Sequence, residues 1–213
     1  MPAVRIPSPQ RFVLENVTWG RYTRLLREFE DRHLRMTYDR GTLEIMTLSY
    51  EHEISATFLG RLVVTLTEEL NLPIRDGRST TLRRRHKQKG LEPDNCYWIA
   101  HEGDVRNNTT IDLRKDPPPD LAIEVDVSRS SLNRMGVYAK LGVPEVWRYA
   151  KQGLVFVTLA ADGEYASATV STLFPLPIAP ADLMPFIQMR GSTDDNDIVR
   201  QFRAWIQGKR IPS

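Results

Sequence analysis

Asp120-Leu-Ala-Ile-Glu-Val-Asp-Val127 alternates acidic or small residues with branched aliphatic ones. Side chains along a strand point to opposite faces in turn. Leu121, Ile123, Val125 and Val127 therefore share a core-facing side, and Asp120, Ala122, Glu124 and Asp126 share the other. Asp116-Pro-Pro-Pro-Asp120 leads in, and a run of prolines cannot be helical. Three carboxylates on one face repel one another and raise each other's pKa unless a cation intervenes. A solvated edge strand also carries charge, but it usually mixes signs. The pattern therefore points to a carboxylate-lined site at the centre of an α/β fold.

Outward from this strand, the chain reads as alternating elements. Thr18 is placed to cap a helix to about residue 30, with Tyr22, Leu25, Leu26 and Phe29 at helical spacing. Residues 34–38 and 42–48 flank Asp39-Arg-Gly41, the chemistry of a β-hairpin. Ser49 precedes a long helix, about 51–69, with Ile54, Phe58, Leu62 and Leu66 on one stripe. Short strands are expected near Ile74 and over 80–84, then a basic loop, then a strand over 94–100. Tyr97 and Trp98 must point opposite ways on that strand, so one of the two is expected in the core. After the central strand, Ser128 to Ser131 are placed to cap a helix that Gly142 ends. Strands over 145–150 and 154–160, a further strand near 166–172, and helices over 181–188 and 195–207 complete the chain. The order predicts an α/β (α+β) fold: a mixed sheet flanked by helices. The expectation is one domain over 1–213, with a core of about 18–160 and a C-terminal extension of about 161–213.

Composition narrows the class. Hydrophobic residues make up 41% of the chain and charged residues 26%, an ordinary globular balance. No apolar run is long enough to span a bilayer, and the first ten residues carry none of signal-peptide length. Cys96 is the sole cysteine, which excludes an internal disulfide and suits a reducing, cytoplasmic setting. The four histidines and Cys96 have no zinc-ligand spacing. There is no Gly-rich phosphate loop and no Ser/His/Asp order that suggests a triad.

The net charge is only +2, but its distribution is uneven. Arg83, Arg84, Arg85, Lys87 and Lys89 crowd one segment together with His86, while acids gather around 116–126 and 194–197. On charge alone a solvated loop explains the basic run. Opposite a carboxylate site, it would grip a phosphate backbone.

A strand of carboxylates suits Mg²⁺ or Mn²⁺, which take hard oxygen ligands. A second acid from a neighbouring strand is wanted, and Pro93-Asp94 supplies one. Asp94, followed thirty residues later by Glu124-Val-Asp126, resembles the PD-(D/E)XK nuclease signature. Gly41-Thr-Leu-Glu-Ile-Met46, Glu51-His-Glu53, Leu91-Glu-Pro-Asp-Asn-Cys-Tyr97, Pro118-Pro-Asp-Leu-Ala-Ile-Glu124 and Tyr138-Ala-Lys-Leu-Gly-Val-Pro-Glu-Val-Trp147 together resemble the Uma family, assigned as restriction endonucleases. The resemblance covers about residues 18–160 and implies a restriction-endonuclease-like fold and metal-dependent cleavage of DNA.

On that resemblance Asp94, Glu124 and Asp120 or Asp126 are candidate metal ligands, and a first-helix acid, Glu53 or else Glu51, completes the set. His52 reads more simply as a polar residue at a helix end. The signature places a lysine two residues after the acid, but this chain has Asp126 there. Lys140, which shares a helical face with Asn133, or Arg134 is the candidate replacement cation. Asp94, Glu124, Asp126 and Lys140 are thus the expected catalytic set. Binding should weaken steeply with salt, and a homodimer would supply one site per strand. The alternative is a catalytically inactive nucleic-acid-binding or protein-interaction module on the same fold.

Overall fold

The computed structural model describes residues 10–32, 34–126 and 132–210. Eleven strands and six helices are built from them: β1 (Arg11–Leu14), α1 (Trp19–Glu28), β2 (Leu34–Asp39), β3 (Thr42–Thr47), α2 (Tyr50–Glu69), β4 (Arg75–Asp76), β5 (Leu82–Arg84), β6 (Lys89–Leu91), β7 (Asn95–Trp98), α3 (Glu102–Val105), β8 (Leu121–Asp126), α4 (Arg134–Leu141), β9 (Glu145–Ala150), β10 (Gly153–Leu159), β11 (Tyr165–Ala168), α5 (Pro180–Gln188) and α6 (Asp195–Arg210). Among the described residues, no helix is long and apolar enough to cross a membrane.

The expected mixed sheet flanked by helices is present, and a second sheet lies beside it. The mixed sheet has six strands in the order β11-β10-β9-β8-β7-β4. Only β8 and β9 run parallel, joined through α4, with Glu124 opposite Arg148 and Val125 opposite Tyr149. The second sheet is antiparallel, in the order β1-β3-β2-β6-β5. Its outer strand β1 and the short β6 were not expected from sequence. The basic run is a hairpin, β5 and β6 joined by a 3₁₀ turn over Arg85–Lys87, rather than an open loop.

Local chemistry sets the element ends. Thr18 Oγ1 accepts from Arg21 N at 3.3 Å and Ser49 Oγ from His52 N at 3.2 Å, so both helices begin on side-chain caps. Arg40 and Gly41 close the β2–β3 turn at φ of +46° and +99°, the left-handed pair that a tight hairpin requires. Gly142 ends α4 at φ +86°. The cap predicted for α4 at Ser128 to Ser131 lies outside the described residues, as does Val127. The helix begins at Arg134, capped by Asn133, whose Oδ1 accepts from Gly136 N at 2.9 Å.

The mixed sheet is covered on both faces. Leu121, Ile123 and Val125 pack against α2, α5 and α6 through Phe58, Leu62, Phe186 and Phe202. On the other face Ala122 and Val146 pack with Val137, Tyr138 and Leu141 of α4 and with Leu82 and Leu91 of the second sheet. The face that carries the acids is therefore an interior, not a solvated edge. For the same reason Tyr97 and Trp98 are both core, where one was expected. Tyr97 packs with α2, and Trp98 packs with Cys96 and Val105.

Candidate active site

Asp94 ends the turn into β7, and Glu124 lies on β8 beside it. Pairing between the strands continues one residue beyond β7, where Asp94 N donates to Ile123 O at 3.2 Å. The Asp94 side chain then turns in, and its Oδ2 accepts from Val125 N at 2.7 Å. Asp94 and Glu124 are 6% and 7% exposed, so any charge there must be answered locally.

Glu124 is held by α4. Arg134 Nε donates to Oε2 at 2.8 Å and Nη2 to Oε1 at 2.5 Å, a two-point grip. The Tyr138 hydroxyl, one turn further along, also donates to Oε1. Arg134 is fixed in turn by Thr37 Oγ1 and by Glu92 O, the latter at 2.9 Å. Burial and the neighbouring Asp94 charge push the Glu124 carboxyl up, against the pull of Arg134. Burial, with the Glu124 charge, likewise raises the Tyr138 hydroxyl, which stays protonated and able to donate.

Asp94 has a different environment. His52 Nε2 lies 3.1 Å from Oδ2, within ion-pair range, although neither ring nitrogen makes a well-aligned hydrogen bond. Arg35 Nε is 3.9 Å from Oδ1. Burial alone would raise the Asp94 carboxyl, but His52, the Arg134 charge and the Val125 N–H outweigh it and hold it low. Burial works against a charge on His52, and Asp94 overcomes this to raise the imidazole.

His52, Asp94, Glu124 and Arg134 border a cavity of about 320 Å³, walled also by Arg11, Glu44, Met46, Asp126, Asn133 and Arg148. Glu44 is 2% exposed, and Arg11 Nε lies 3.5 Å from its Oε2. Arg148 Nη2 is 3.6 Å from Asp126.

Of the expected residues, Asp94, Glu124, Asp126 and Arg134 meet at this cavity. Asp120 does not, because it stands just before the other end of β8, about 13 Å from Glu124 at the rise of a strand. There its Oδ2 accepts from Ile99 N at 2.7 Å and His101 N at 3.1 Å, which makes it an anchor for the chain after β7. Lys140 is exposed near the far end of α4 and does not line the cavity. Glu53 is half exposed, 3.6 Å from His52 Nδ1, and Glu51 faces a neighbouring cavity.

None of the five basic-run residues lines the cavity. Lys89 is buried and paired with Asp39, so it is not available to a phosphate. Arg83 and Arg85 border a separate groove of about 590 Å³ with Arg27 and Trp19. Arg84 is half buried, and Lys87 is exposed.

Sequence reasoning took His52 for a polar residue at a helix end and assigned no role to Glu44, Arg11, Arg35, Arg148 or Tyr138. Glu44 sits within a quoted family motif, and Arg148 directly follows another. The signal for both was present but unassigned. Arg11 belongs to a strand too short to be read from sequence.

The donor set is compatible with a hard cation. Mg²⁺ is commonly held by one or two carboxylates together with water and phosphate oxygens, and Asp94 and Glu124 provide two. Among the described residues, no group of three or more acids, histidines or cysteines is arranged around one point. Both oxygens of Glu124 face Arg134 or Tyr138, so a cation taking Glu124 must share it with them or displace them.

A solved structure described as "a putative nuclease belonging to DUF820 from Anabaena variabilis ATCC 29413" superposes with a TM-score of 0.50 at 14% identity, covering 71% of this chain and 90% of that one. This is a likeness of fold. No curated protein matches the chain. The family described as "Putative restriction endonuclease" (Uma2) matches residues 19–186, from α1 into α5. The chain belongs to this Uma2 family, whose description is of nuclease type.

Proposed function

We propose that the chain is a divalent-metal-dependent endonuclease that hydrolyses DNA phosphodiester bonds at the Asp94–Glu124 cavity. The observation that carries this reading is that two buried carboxylates from adjacent strands meet at one cavity with Arg134 and Arg148 on its wall. Family membership supports DNA as the substrate.

Asp94 and Glu124 would hold Mg²⁺ or Mn²⁺, with Asp126 at the rim. The bound ion would acidify a water and neutralise charge on the phosphate and the leaving oxygen. The chain's own residues do the rest. Val125 N and His52 orient Asp94, and Arg134 and Tyr138 orient Glu124. Arg148, paired only loosely with Asp126, can bind a phosphate oxygen. Arg134 is the cation best placed to take the role of the absent lysine, stabilising negative charge as it develops. DNA with two strands to cut would call for two copies of the site, as a symmetric dimer provides.

A second reading rests on one observation. Arg134 occupies both oxygens of Glu124, which suits a non-catalytic DNA-binding module that has replaced a cation with a guanidinium. Supercoiled plasmid incubated with EDTA, Mg²⁺ or Mn²⁺ separates the two. Nicking that needs metal and disappears in Glu124→Gln and Asp94→Asn is expected of the nuclease. Intact plasmid with every metal, alongside a metal-indifferent mobility shift, would support the binding module.

A further inference from the structure

A second cavity, of about 380 Å³, opens on the other side of the end of β8. It shares Val125 and Asp126 with the candidate active site, so the two adjoin across that strand end. Ile54 of α2, Tyr149 of β9 and Ile187 of α5 give it apolar and aromatic walls. Ile187 and Arg190, also on its wall, lie just past the residues matched by the family, so part of this wall comes from outside the family pattern.

Arg190 is the unusual member. It is half buried, yet its contacts are neutral: Nη1 donates to Ser55 Oγ at 3.1 Å, and the guanidinium carbon lies 5.2 Å from the Phe58 ring centre. Among the described residues no carboxylate pairs with it. A positioned cation without a counter-ion, one strand from a phosphodiester site, suits a phosphate next to the one being cut. Lys151, on the exposed β9–β10 turn, adds a second charge. The carboxylates of Glu51 and Asp126 oppose a phosphate inside the cavity, and suit the amino groups that cytosine, adenine and guanine present on their edges.

We propose that this cavity is a nucleobase subsite: it takes one unpaired base beside the scissile phosphate, with Tyr149 as its stacking surface and Arg190 and Lys151 on the flanking phosphate. The inference rests on the nuclease reading and narrows its substrate to single-stranded or locally opened DNA. A base still paired in a duplex cannot enter such a pocket, and base–aromatic stacking is tolerant of sequence.

The test measures binding in EDTA, so it does not depend on cleavage. The full chain is titrated into an oligonucleotide carrying one 2-aminopurine, either single-stranded or in a blunt duplex of the same sequence. The single strand is expected to bind at least about tenfold tighter, with 2-aminopurine fluorescence quenched on binding. Tyr149→Ala should abolish the quench, and Arg190→Gln should weaken single-strand binding about tenfold without changing duplex binding. Thermal melting checks that the variants fold. Should Arg190→Gln unfold, Lys151→Gln on the exposed turn carries the same expectation. Equal or tighter binding of the duplex, or variants that bind and quench like the wild type, would overturn the subsite. A chain that cuts plasmid but shows neither preference nor quench would leave the nuclease reading intact and remove only this inference.

Discussion

Arg134 closes on Glu124 through two parallel hydrogen bonds, of 2.8 and 2.5 Å, between a helix and the strand that precedes it. Both partners are nearly buried, with side-chain exposures of 11% and 10%. Removing one member of such a pair strands the other's charge in a low-dielectric interior. Arg134→Met should therefore destabilise the fold by about 3–5 kcal/mol, read from urea unfolding. Glu124→Met/Arg134→Met should recover most of that loss. Arg134→Lys keeps the charge but loses the two-point grip, and an intermediate loss is expected.

Asp120 and Asp94 both accept backbone N–H groups, but they should behave differently. Asp120→Ala leaves the N–H groups of Ile99 and His101 without their acceptor. A loss on the order of 2–4 kcal/mol is expected, with metal-dependent nicking retained at temperatures where the variant is folded. Asp94→Asn can still accept from Val125 N, so its loss should appear in nicking far more than in stability. A variant of Asp120 that folds fully yet no longer nicks would contradict this division.

The His101–Asp120 pair makes a pH-dependent contribution. His101 Nδ1 lies 2.6 Å from Asp120 Oδ1, and this hydrogen bond is the main cause that raises the imidazole pKa above its ordinary value. The folded state thus binds the proton more tightly than the unfolded chain. The resulting stabilisation is complete below about pH 6.5, the unfolded value, and fades as pH rises through the higher folded value. The melting-temperature gap between wild type and His101→Asn should be widest near pH 5.5–6 and narrow steadily toward pH 9. The imidazole is half exposed, so the gap should be small and should shrink further in high salt.

Two cations on neighbouring elements should separate by function. Lys140 is exposed and away from the cavity, and Lys140→Ala should leave nicking within about twofold. Arg148 borders the cavity, and Arg148→Ala should slow nicking by at least about tenfold. Initial rates of plasmid nicking at fixed Mg²⁺ check both, and the reverse order would give Lys140 the phosphate contact proposed for Arg148.

Local chemistry made much of the fold legible. Thr18, Ser49 and Gly142 mark helix ends because their hydrogen-bonding or conformational preferences act within a few residues. β8 was legible from its alternation. β1 and β6 were not, because Arg11–Leu14 and Lys89–Leu91 are strands only by virtue of the partners they pair with. Alternation assigned Asp120 and Asp126 to one face but could not say that they end at opposite edges of a buried strand. His52 looked like any polar residue early in a helix, and its burial against Asp94 comes from the docking of α2 on the sheet. Asp94 and Glu124 were recognised because their spacing resembles a known signature, whereas Glu44 and Arg148, in or beside family motifs, gain a role only through strand pairing that the motifs do not spell out.

The β8–α4–β9 crossover has a consequence for when the chain becomes competent. Glu124, Arg134 and Tyr138 all belong to this one unit, so their mutual contacts can form early from neighbouring sequence. Asp94 reaches Glu124 only when β7 docks along the outer edge of β8, and His52 reaches Asp94 only when α2 lies over the sheet. A chain in which α2 and β7 have not yet docked would carry Glu124 paired with Arg134 and no second acid beside it. Docking of α2 and β7 would thus complete the proposed site, so that its assembly and the closure of the fold are one event.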